Sequence, residues 1–294
     1  MTAAADAQTR PFAEALKDAQ GQITAHMELR LAGGDELHVA MRYAITGGKM
    51  LRGFLVLESA RLHSVPAEAA LAAALAIECI HAYSLVHDDL PCMDDDDLRR
   101  GQPTVHKKWN EAMAVLAGDS LQAFAFELLA DPKMGPQALT LIRSLAQSSG
   151  KDGMVSGQML DIAAETAADP LTLDQITKLQ SRKTGCLIEW SATAGAVLAG
   201  SDPAPLRQYA CALGLAFQIA DDILDVEGDA AKVGKAVRKD ADAGKATFVS
   251  LLGLAEAKAR ASALCKEACF ALAPYGADAA TLKEAARFVI SRDS

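Results

Sequence analysis

The sequence has few aromatic residues, no paired cysteine motif and no excess of positive charge. Aromatic side chains make up 5% of the 294 residues, which disfavours β-rich folds because strands are enriched in aromatic and β-branched residues. The six cysteines include no C-x-x-C pair, a pattern typical of free thiols and not of a disulfide framework or a zinc site. The net charge of -9 argues against a nucleic-acid partner.

A targeting segment and a membrane span are also missing from the pattern. The N-terminal region contains Asp6, Glu14 and Asp18, so it does not resemble the apolar core of a signal peptide. The most apolar stretch, residues 67–86, includes two glutamates and His81, which is typical of a buried helix. We therefore predict a cytoplasmic protein without a membrane span.

Apolar residues recur with the helical period along nearly the whole chain. Alanine is abundant and hydrophobic residues make up 51% of the sequence, a composition that favours helices. No segment between the predicted helices is long enough for a linker, so the sequence predicts an all-α protein with a single domain over residues 1–294. The helices are predicted near residues 11–31, 36–46, 50–62, 66–89, 109–130, 136–149, 153–161, 172–199, 204–228, 246–272 and 278–291.

Two aspartate-rich motifs occur, one at residues 87–97 (HDDLPCMDDDD) and one at residues 218–225 (QIADDILD). Carboxylates that crowd together at the end of an apolar helix repel one another and need a positive partner. Mg2+ suits this role, because it binds a few carboxylates together with waters and substrate phosphate oxygens. The motifs therefore predict a phosphorylated substrate, although the first motif alone is also typical of a solvated loop.

Basic groups stand out against this acidic background. Residues 47–52 (GGKMLR) combine two glycines with Lys49 and Arg52 at a predicted helix start, where anions bind favourably. Arg99 and Arg100 follow the first acidic motif and either neutralise it or bind phosphate oxygens. His81 lies on the same predicted helix as the first motif, and a lone helical histidine is commonly a hydrogen-bonded core residue.

With these motifs in hand, the chain resembles the trans-isoprenyl diphosphate synthases, and among them the bacterial farnesyl diphosphate synthases. The resemblance implies an all-α homodimer of isoprenoid-synthase type, a helical bundle in which two aspartate motifs face each other across a central cavity. The matching segments are residues 47–52, 80–94, 99–101, 183–184 and 217–225.

The resemblance also implies roles for individual residues. Three Mg2+ ions, for which Mn2+ can substitute, would bind the diphosphate of an allylic substrate, with Asp88, Asp94 and Asp221 as ligands and Asp89, Asp222 and Asp225 in support. The allylic diphosphate would also contact Arg99, Lys183, Lys235 and Lys245. Isopentenyl diphosphate would bind to Gly48, Lys49, Arg52, His81 and Arg100. The carbonyls of Lys183 and Thr184 and the side chain of Gln218 would lie near the carbocation.

The reaction implied is the head-to-tail condensation of isopentenyl diphosphate with dimethylallyl and geranyl diphosphate to (E,E)-farnesyl diphosphate. In this family an aromatic residue five positions before the first aspartate ends the product cavity, and here that residue is Tyr83, followed by Ser84. The two extra residues in the first motif, with Pro91, require a distortion that returns Asp94 towards Asp88. Tyr83 could also be an ordinary core aromatic.

Alternatives remain open on the sequence. A geranyl or geranylgeranyl diphosphate synthase differs only in product length. A class I terpene cyclase shares the helices and Mg2+ but would not need the basic segment at residues 47–52, and a non-catalytic regulatory subunit would have lost acids that are present here. Two departures from the family occur: Gly53 and Val249 stand where proline is frequent.

Overall fold

The computed structural model describes residues 10–167, 169–227 and 246–291. They form the all-α architecture that the sequence predicts. The helices are α1 (Phe12–Arg30), α2 (Glu36–Ile45), α3 (Leu51–Leu62), α4 (Ala67–Asp88), α5 (Val105–Lys108), α6 (Glu111–Leu129), α7 (Ala138–Ser149), α8 (Met154–Glu165), α9 (Leu173–Gln180), α10 (Cys186–Leu198), α11 (Ala204–Glu227), α12 (Phe248–Leu252), α13 (Leu254–Ala271) and α14 (Ala280–Ser291).

Short elements account for the differences from the predicted helices. Strands β1 (Leu98–Arg99) and β2 (Gln102–Pro103) form an antiparallel hairpin, where the sequence predicted no strand. Arg100 and Gly101 at its tip have φ angles of 54° and 75°, as two-residue hairpin turns require. The predicted helix 246–272 is interrupted at Gly253, whose φ is 78°. A π-helical turn, Ser181–Gly185, joins α9 to α10 within the predicted helix 172–199.

The chain divides into two compact units. The first unit comprises residues 16–146 and 193–201, and the second comprises the described parts of residues 1–15, 147–192 and 202–294. Each unit contains one of the two aspartate-rich motifs. The single domain predicted for residues 1–294 remains a prediction.

In the first unit, α4 is the central helix and packs against α3 and α6. Small residues allow close approach: a Cβ atom on Gly118 would lie 2.0 Å from His87 Nε2. Gly195 allows a similar approach, because a Cβ atom there would lie 2.2 Å from Ala60 N. The Gly195 N–H also donates to Ser59 Oγ at 3.1 Å. Abundant alanine and glycine therefore replace aromatic residues in packing this core.

Among the described residues, two helices are long and apolar enough to span a membrane by length and composition, α4 and α6. In α4, 78% of the most apolar stretch is buried within the protein, so α4 is the buried helix that the sequence predicted. The corresponding share in α6 is 44%, and its exposed apolar side chains include Val115 and Leu116.

In the second unit, α11 packs against α13 and α14. Tyr209 is among the largest fully buried side chains, and its hydroxyl donates to Leu282 O at 2.9 Å. This hydrogen bond satisfies a polar atom in the core and ties α11 to α14. The second aspartate-rich motif therefore extends from a firmly packed helix.

Candidate functional site

The first aspartate-rich motif begins where α4 ends and the chain turns back on itself. The Asp94 N–H donates to Asp88 O at 2.8 Å, and the Met93 N–H donates to Leu90 O at 2.8 Å. Asp95 has a left-handed φ of 51°. The distortion expected from Pro91 and the two extra residues is thus confirmed, and it brings the backbones of Asp88 and Asp94 together.

Basic side chains hold several other acids of this motif. Arg99 Nε donates to Asp89 Oδ1 at 2.9 Å, and Arg99 Nη2 donates to Asp96 Oδ2 at 3.3 Å. Lys107 Nζ pairs with Asp97 Oδ1 at 2.8 Å. Burial raises the pKa of the Asp89 carboxyl, while the hydrogen bonds and charge of Arg99 lower it. The neutralising role considered for Arg99 is therefore present, and its binding of a diphosphate remains a prediction.

One group of potential metal ligands in the described residues consists of Asp95, Asp97 and His106, whose ligand atoms lie within 4.8 Å of one another. These are not the predicted ligands. Asp97 already pairs with Lys107, and a ring nitrogen of His106 lies 3.2 Å from Thr104 Oγ1. The predicted pair, Asp88 and Asp94, offers only oxygen ligands, which Mg2+ prefers, and its role in metal binding remains a prediction.

The glycine-rich segment and the hairpin tip meet in the first unit. A Cβ atom on Gly48 would lie 2.7–2.8 Å from three guanidinium atoms of Arg100, so a larger residue here would displace the guanidinium group. Arg100 Nη1 also donates to Thr46 O at 3.1 Å. The structure thus brings together Gly48 and Arg100, two of the residues predicted to bind isopentenyl diphosphate, although they are far apart in the sequence.

His81 interacts electrostatically with Arg52 and Arg100. These three residues, together with Gly48, form one cluster in the first unit. Burial lowers the pKa of the His81 imidazole well below its ordinary value, and the positive charges of Arg52, Arg100 and Arg99 lower it further. Arg52 Nε is buried and has no hydrogen-bond partner among the described residues. A buried cationic donor of this kind is suited to an anionic ligand.

Lys49, the remaining member of the predicted set, has an exposed side chain. Its carbonyl oxygen accepts a hydrogen bond from Gln20 Nε2 at 2.9 Å, which ties the glycine-rich loop to α1. The structure therefore fixes the backbone of Lys49 beside this cluster, while a diphosphate contact of its ammonium group remains a prediction.

A cleft opens beside this cluster. It connects the glycine-rich loop with the acidic motif, although Lys49, Arg52 and His81 are not among its lining residues. Its walls include Tyr43, Thr46, Gly47, Leu85, Asp89, Arg99 and Arg100.

Tyr83 and Ser84 lie about one turn before Asp88 on α4. Tyr83 is 5% exposed, and its ring centroid is 5.9 Å from that of His87. Burial raises the pKa of the Tyr83 phenol, and the charge of Asp88 raises it further, so the phenol lies close to the first motif. Ser84 Oγ donates to His81 O at 2.9 Å. The position suits a cavity floor, which remains a prediction.

The second motif lies in the last turns of α11, which is continuous from Ala204 to Glu227. Gln218, Asp221 and Asp225 share one face of this helix, as their spacing predicted. Asp222 Oδ2 accepts a hydrogen bond from the Phe248 N–H at 2.6 Å. Asp222 thereby holds the first turn of α12.

The π-helical turn carries Lys183 and Thr184. Lys183 Nζ donates to Asp161 Oδ2 at 2.6 Å, and Arg182 donates to Ser156 Oγ at 2.8 Å. Both contacts anchor the turn to α8. Single π-turns are frequent at functional sites because they disturb the helical hydrogen-bond ladder, which suits the predicted role of the Lys183 and Thr184 carbonyls. Lys235 and Lys245 lie outside the described residues.

Sequence reasoning missed two acids in these clusters, Asp161 and Glu78. Asp161 is the partner of Lys183, and nothing in its sequence surroundings distinguishes it from a surface acid. Glu78 accepts the Gly53 N–H at 2.7 Å and is 5% exposed. A signal for Glu78 did exist, because an acid within an apolar helix needs polar partners.

Known proteins share this fold and much of this sequence. The polyprenyl synthetase family model matches residues 35–274. A farnesyl diphosphate synthase of Haemophilus influenzae is 43% identical over 96% of this chain and 99% of its own length. The crystal structure of an FPP/GFPP synthase from Zymomonas mobilis has a TM-score of 0.86 and 45% identity, covering 95% of this chain and 99% of that one.

A second solved relative is a geranyltransferase from Helicobacter pylori, complexed with magnesium and isoprenyl diphosphate. It has a TM-score of 0.83 and 32% identity, and the match covers 97% of this chain and 100% of that one. The predicted all-α isoprenoid-synthase fold is confirmed by these structural relatives. Since the family model runs through both aspartate-rich motifs and most of the chain, this protein belongs to the polyprenyl synthetase family.

Proposed function

We propose that this protein condenses isopentenyl diphosphate head to tail with dimethylallyl diphosphate and then with geranyl diphosphate, giving (E,E)-farnesyl diphosphate and free diphosphate. One observation carries the proposal. The first unit combines two kinds of diphosphate-binding chemistry, an aspartate motif suited to metal ions and a cluster of Arg52, His81 and Arg100 with the means to bind an anion without metal. A reaction between two diphosphate substrates needs both.

Asp88, Asp94 and Asp221 would hold Mg2+ at the allylic diphosphate, and Mn2+ can substitute. Bound there, the metal supplies positive charge that stabilises the departing diphosphate. Asp89, Asp222 and Asp225 support these ligands. Asp89 accepts a hydrogen bond from Arg99, and Asp222 accepts one from the Phe248 N–H, so they hold the neighbouring hairpin and α12 against the two motifs.

The remaining groups act on the organic parts of the reaction. Arg99 and Lys183, together with Lys235 and Lys245, contact the allylic diphosphate as it leaves. The carbonyl oxygens of Lys183 and Thr184 and the Gln218 side chain stabilise the allylic cation by their dipoles. The double bond of isopentenyl diphosphate attacks this cation, a proton leaves for the released diphosphate, and the chain grows by five carbons.

Gly48, Lys49, Arg52, His81 and Arg100 form the proposed isopentenyl diphosphate subsite. The contact of Gly48 with the Arg100 guanidinium supports this, because a bare backbone beside a cation lets phosphate oxygens approach both. The lowered pKa of His81 supports a neutral imidazole that donates one hydrogen bond. The unpartnered Nε of Arg52 supplies a further buried donor.

We further propose that the protein acts in the cytoplasm as a homodimer. Exposed apolar side chains support the dimer: Val155, Met159 and Ile162 form an i, i+4, i+7 stripe on α8. Such a stripe on one face of a helix is typical of a contact with another protein surface.

Labelled isopentenyl diphosphate, incubated with Mg2+ and either dimethylallyl or geranyl diphosphate, tests the function when the products are dephosphorylated and sized. We expect a fifteen-carbon alcohol from both primers. Accumulation of ten- or twenty-carbon product would assign a different chain length, and a cyclised hydrocarbon made without isopentenyl diphosphate would contradict the proposal. The Asp97→Asn variant is a matched control, because Asp97 pairs with Lys107 and has no proposed role in the reaction.

A further inference from the structure

The first turn of α3 has no capping side chain of its own. Its N-cap residue is Met50, which has left-handed φ and ψ angles of 48° and 39° and makes no side-chain cap hydrogen bond. The first N–H groups of any helix lack intrahelical acceptors, and Ser, Thr, Asp or Asn usually supplies one. This turn carries Arg52, so its orientation decides where a proposed isopentenyl diphosphate ligand lies.

Glu78 supplies the missing acceptor from the neighbouring helix α4. The Gly53 N–H donates to Glu78 Oε1 at 2.7 Å, and the Arg52 N–H also hydrogen-bonds this carboxylate. A carboxylate at a helix N-terminus is favoured by the helix dipole as well as by these hydrogen bonds. Glu78 therefore caps α3 although it lies 25 residues away from Gly53.

The same carboxylate lies among the cations of the cluster. Burial raises the pKa of Glu78, whereas the hydrogen bonds from Gly53 and Arg52 and the positive charges of Arg52 and Arg100 lower it. The charge of Glu78 in turn acts against the lowering of the Arg52 and Arg100 pKa values by burial. One buried acid thus accepts hydrogen bonds from the backbone of α3 and offsets positive charge in this cluster.

Gly53 is adapted to this arrangement. A Cβ atom at this position would lie 2.4 Å from Ile23 Cδ1 and 3.3 Å from Glu78 Cγ. Proline, which is frequent here in the family, has no N–H to donate. The hydrogen bond from the Gly53 N–H to Glu78 therefore gives a structural reason for glycine in place of proline at this position.

We propose that Glu78 is a positioning residue for the isopentenyl diphosphate subsite, because its carboxylate orients the first turn of α3 and with it the Arg52 side chain. The proposal rests on the function proposed above. It gives Glu78 no contact with the reacting atoms. Its loss should therefore weaken the binding of isopentenyl diphosphate without an equal effect on the allylic substrate.

The Glu78→Gln variant tests this. Its side-chain amide keeps one acceptor oxygen but loses the negative charge, and its NH2 group faces backbone N–H groups that need an acceptor. We expect the KM for isopentenyl diphosphate to rise about tenfold, with the KM for geranyl diphosphate within about twofold of wild type. Glu58→Gln is the matched control. Glu58 is also a buried acid, lies on α3 and accepts a hydrogen bond from Arg61 Nε at 3.0 Å, so it should leave both KM values unchanged.

Binding of labelled isopentenyl diphosphate in excess chelator, without allylic substrate, separates this inference from the proposed function. Failure of the wild-type protein to bind would contradict the metal-free subsite itself. Wild-type binding that Glu78→Gln leaves unchanged would overturn only the role of Glu78, as would an equal rise of both KM values. Glu78→Asp, which keeps the charge but is one methylene shorter, is tested in parallel. Circular dichroism checks that both Glu78 variants fold. Unfolding of both variants would also overturn the proposal, since Glu78 would then serve the whole fold.

Discussion

The two aspartate motifs share the letters Asp-Asp but hold them in different local structures. The first pair, Asp88 and Asp89, ends α4 at a turn that folds Asp94 back onto Asp88. The second pair, Asp221 and Asp222, lies within the continuous helix α11. In the first motif two inserted residues must be absorbed by a turn, whereas in the second the i, i+4 spacing alone aligns the acids.

The motifs agree in one respect that the sequence does not reveal. The second aspartate of each pair is held by a protein donor: Arg99 donates to Asp89, and the Phe248 N–H donates to Asp222. Each bond fixes a neighbouring segment, the hairpin in one case and α12 in the other. The second aspartate of each pair therefore also fixes a neighbouring segment, whereas the role proposed for the first, Asp88 or Asp221, is metal binding.

Replacing the first aspartate of either pair should lower turnover more than any other change considered below. Asp88→Ala and Asp221→Ala should each lower kcat about a thousandfold, which corresponds to about 4 kcal/mol in the transition state. Steady-state turnover at saturating Mg2+ measures this, with helical content followed by circular dichroism. Asp97→Ala is the control from the same acidic run and should stay within about twofold of wild type. Near-normal turnover in either principal variant would remove that aspartate from the metal ligands.

The Arg52 side chain provides the next largest effect, because it belongs to the first unit but to neither motif. Arg52→Ala should raise the KM for isopentenyl diphosphate about thirtyfold, since a charged buried donor is lost. The KM for the allylic primer should change little. Initial rates at varied concentrations of each substrate check this, and an effect confined to the primer would reverse the assignment.

The second aspartates should give smaller losses by different routes. Asp89→Asn and Asp222→Asn should each lower kcat about tenfold, because one hydrogen bond that fixes a segment weakens while the metal ligands remain. Asp222→Asn should also increase amide exchange in residues 246–252, and Asp89→Asn should not. Losses as large as those of Asp88→Ala would erase the difference between first and second aspartates.

Product length should depend on the part of α4 that precedes the first motif and not on the part of α11 that precedes Asp221. Tyr83→Ala should shift product from fifteen towards twenty carbons, because truncation opens an apolar space in a close-packed interior. Phe217→Ala is the matched change one turn before Asp221, and its product should remain fifteen carbons long. Chromatographic sizing of the products decides. A fifteen-carbon product from Tyr83→Ala would place the cavity floor elsewhere.

The smallest effect is a protonation change. Burial and three neighbouring arginines lower the pKa of His81 well below its ordinary value of 6.5, so its imidazole should be neutral at and above pH 6.5. Arg100→Met removes a positive charge and should move the His81 pKa upwards. Imidazole nitrogen chemical shifts measured against pH report this directly, and Arg61→Met serves as a control. No change with Arg100→Met would separate His81 from this cluster.

Much of the architecture could be predicted because helices with a regular apolar period leave a clear pattern in the sequence. The predicted ends of α2, α3 and α7 agree with the structure to within about two residues. The hairpin at residues 98–103 could not be predicted, since two-residue strands have no alternation to detect. Long-range partners were missed for a similar reason: Glu78 and Gly53, or Lys183 and Asp161, meet only once the helices have packed.

A double-mutant cycle tests most directly whether the two motifs serve the same catalytic step. Turnover is measured for Asp88→Ala, Asp221→Ala and the double variant with excess enzyme, so that slow product formation is detectable. If both aspartates serve the same catalytic step, the double variant should lie within about tenfold of the slower single variant, because groups that act as a unit are not additive. Losses that multiply to about a millionfold would show that the motifs contribute independently and would contradict the account.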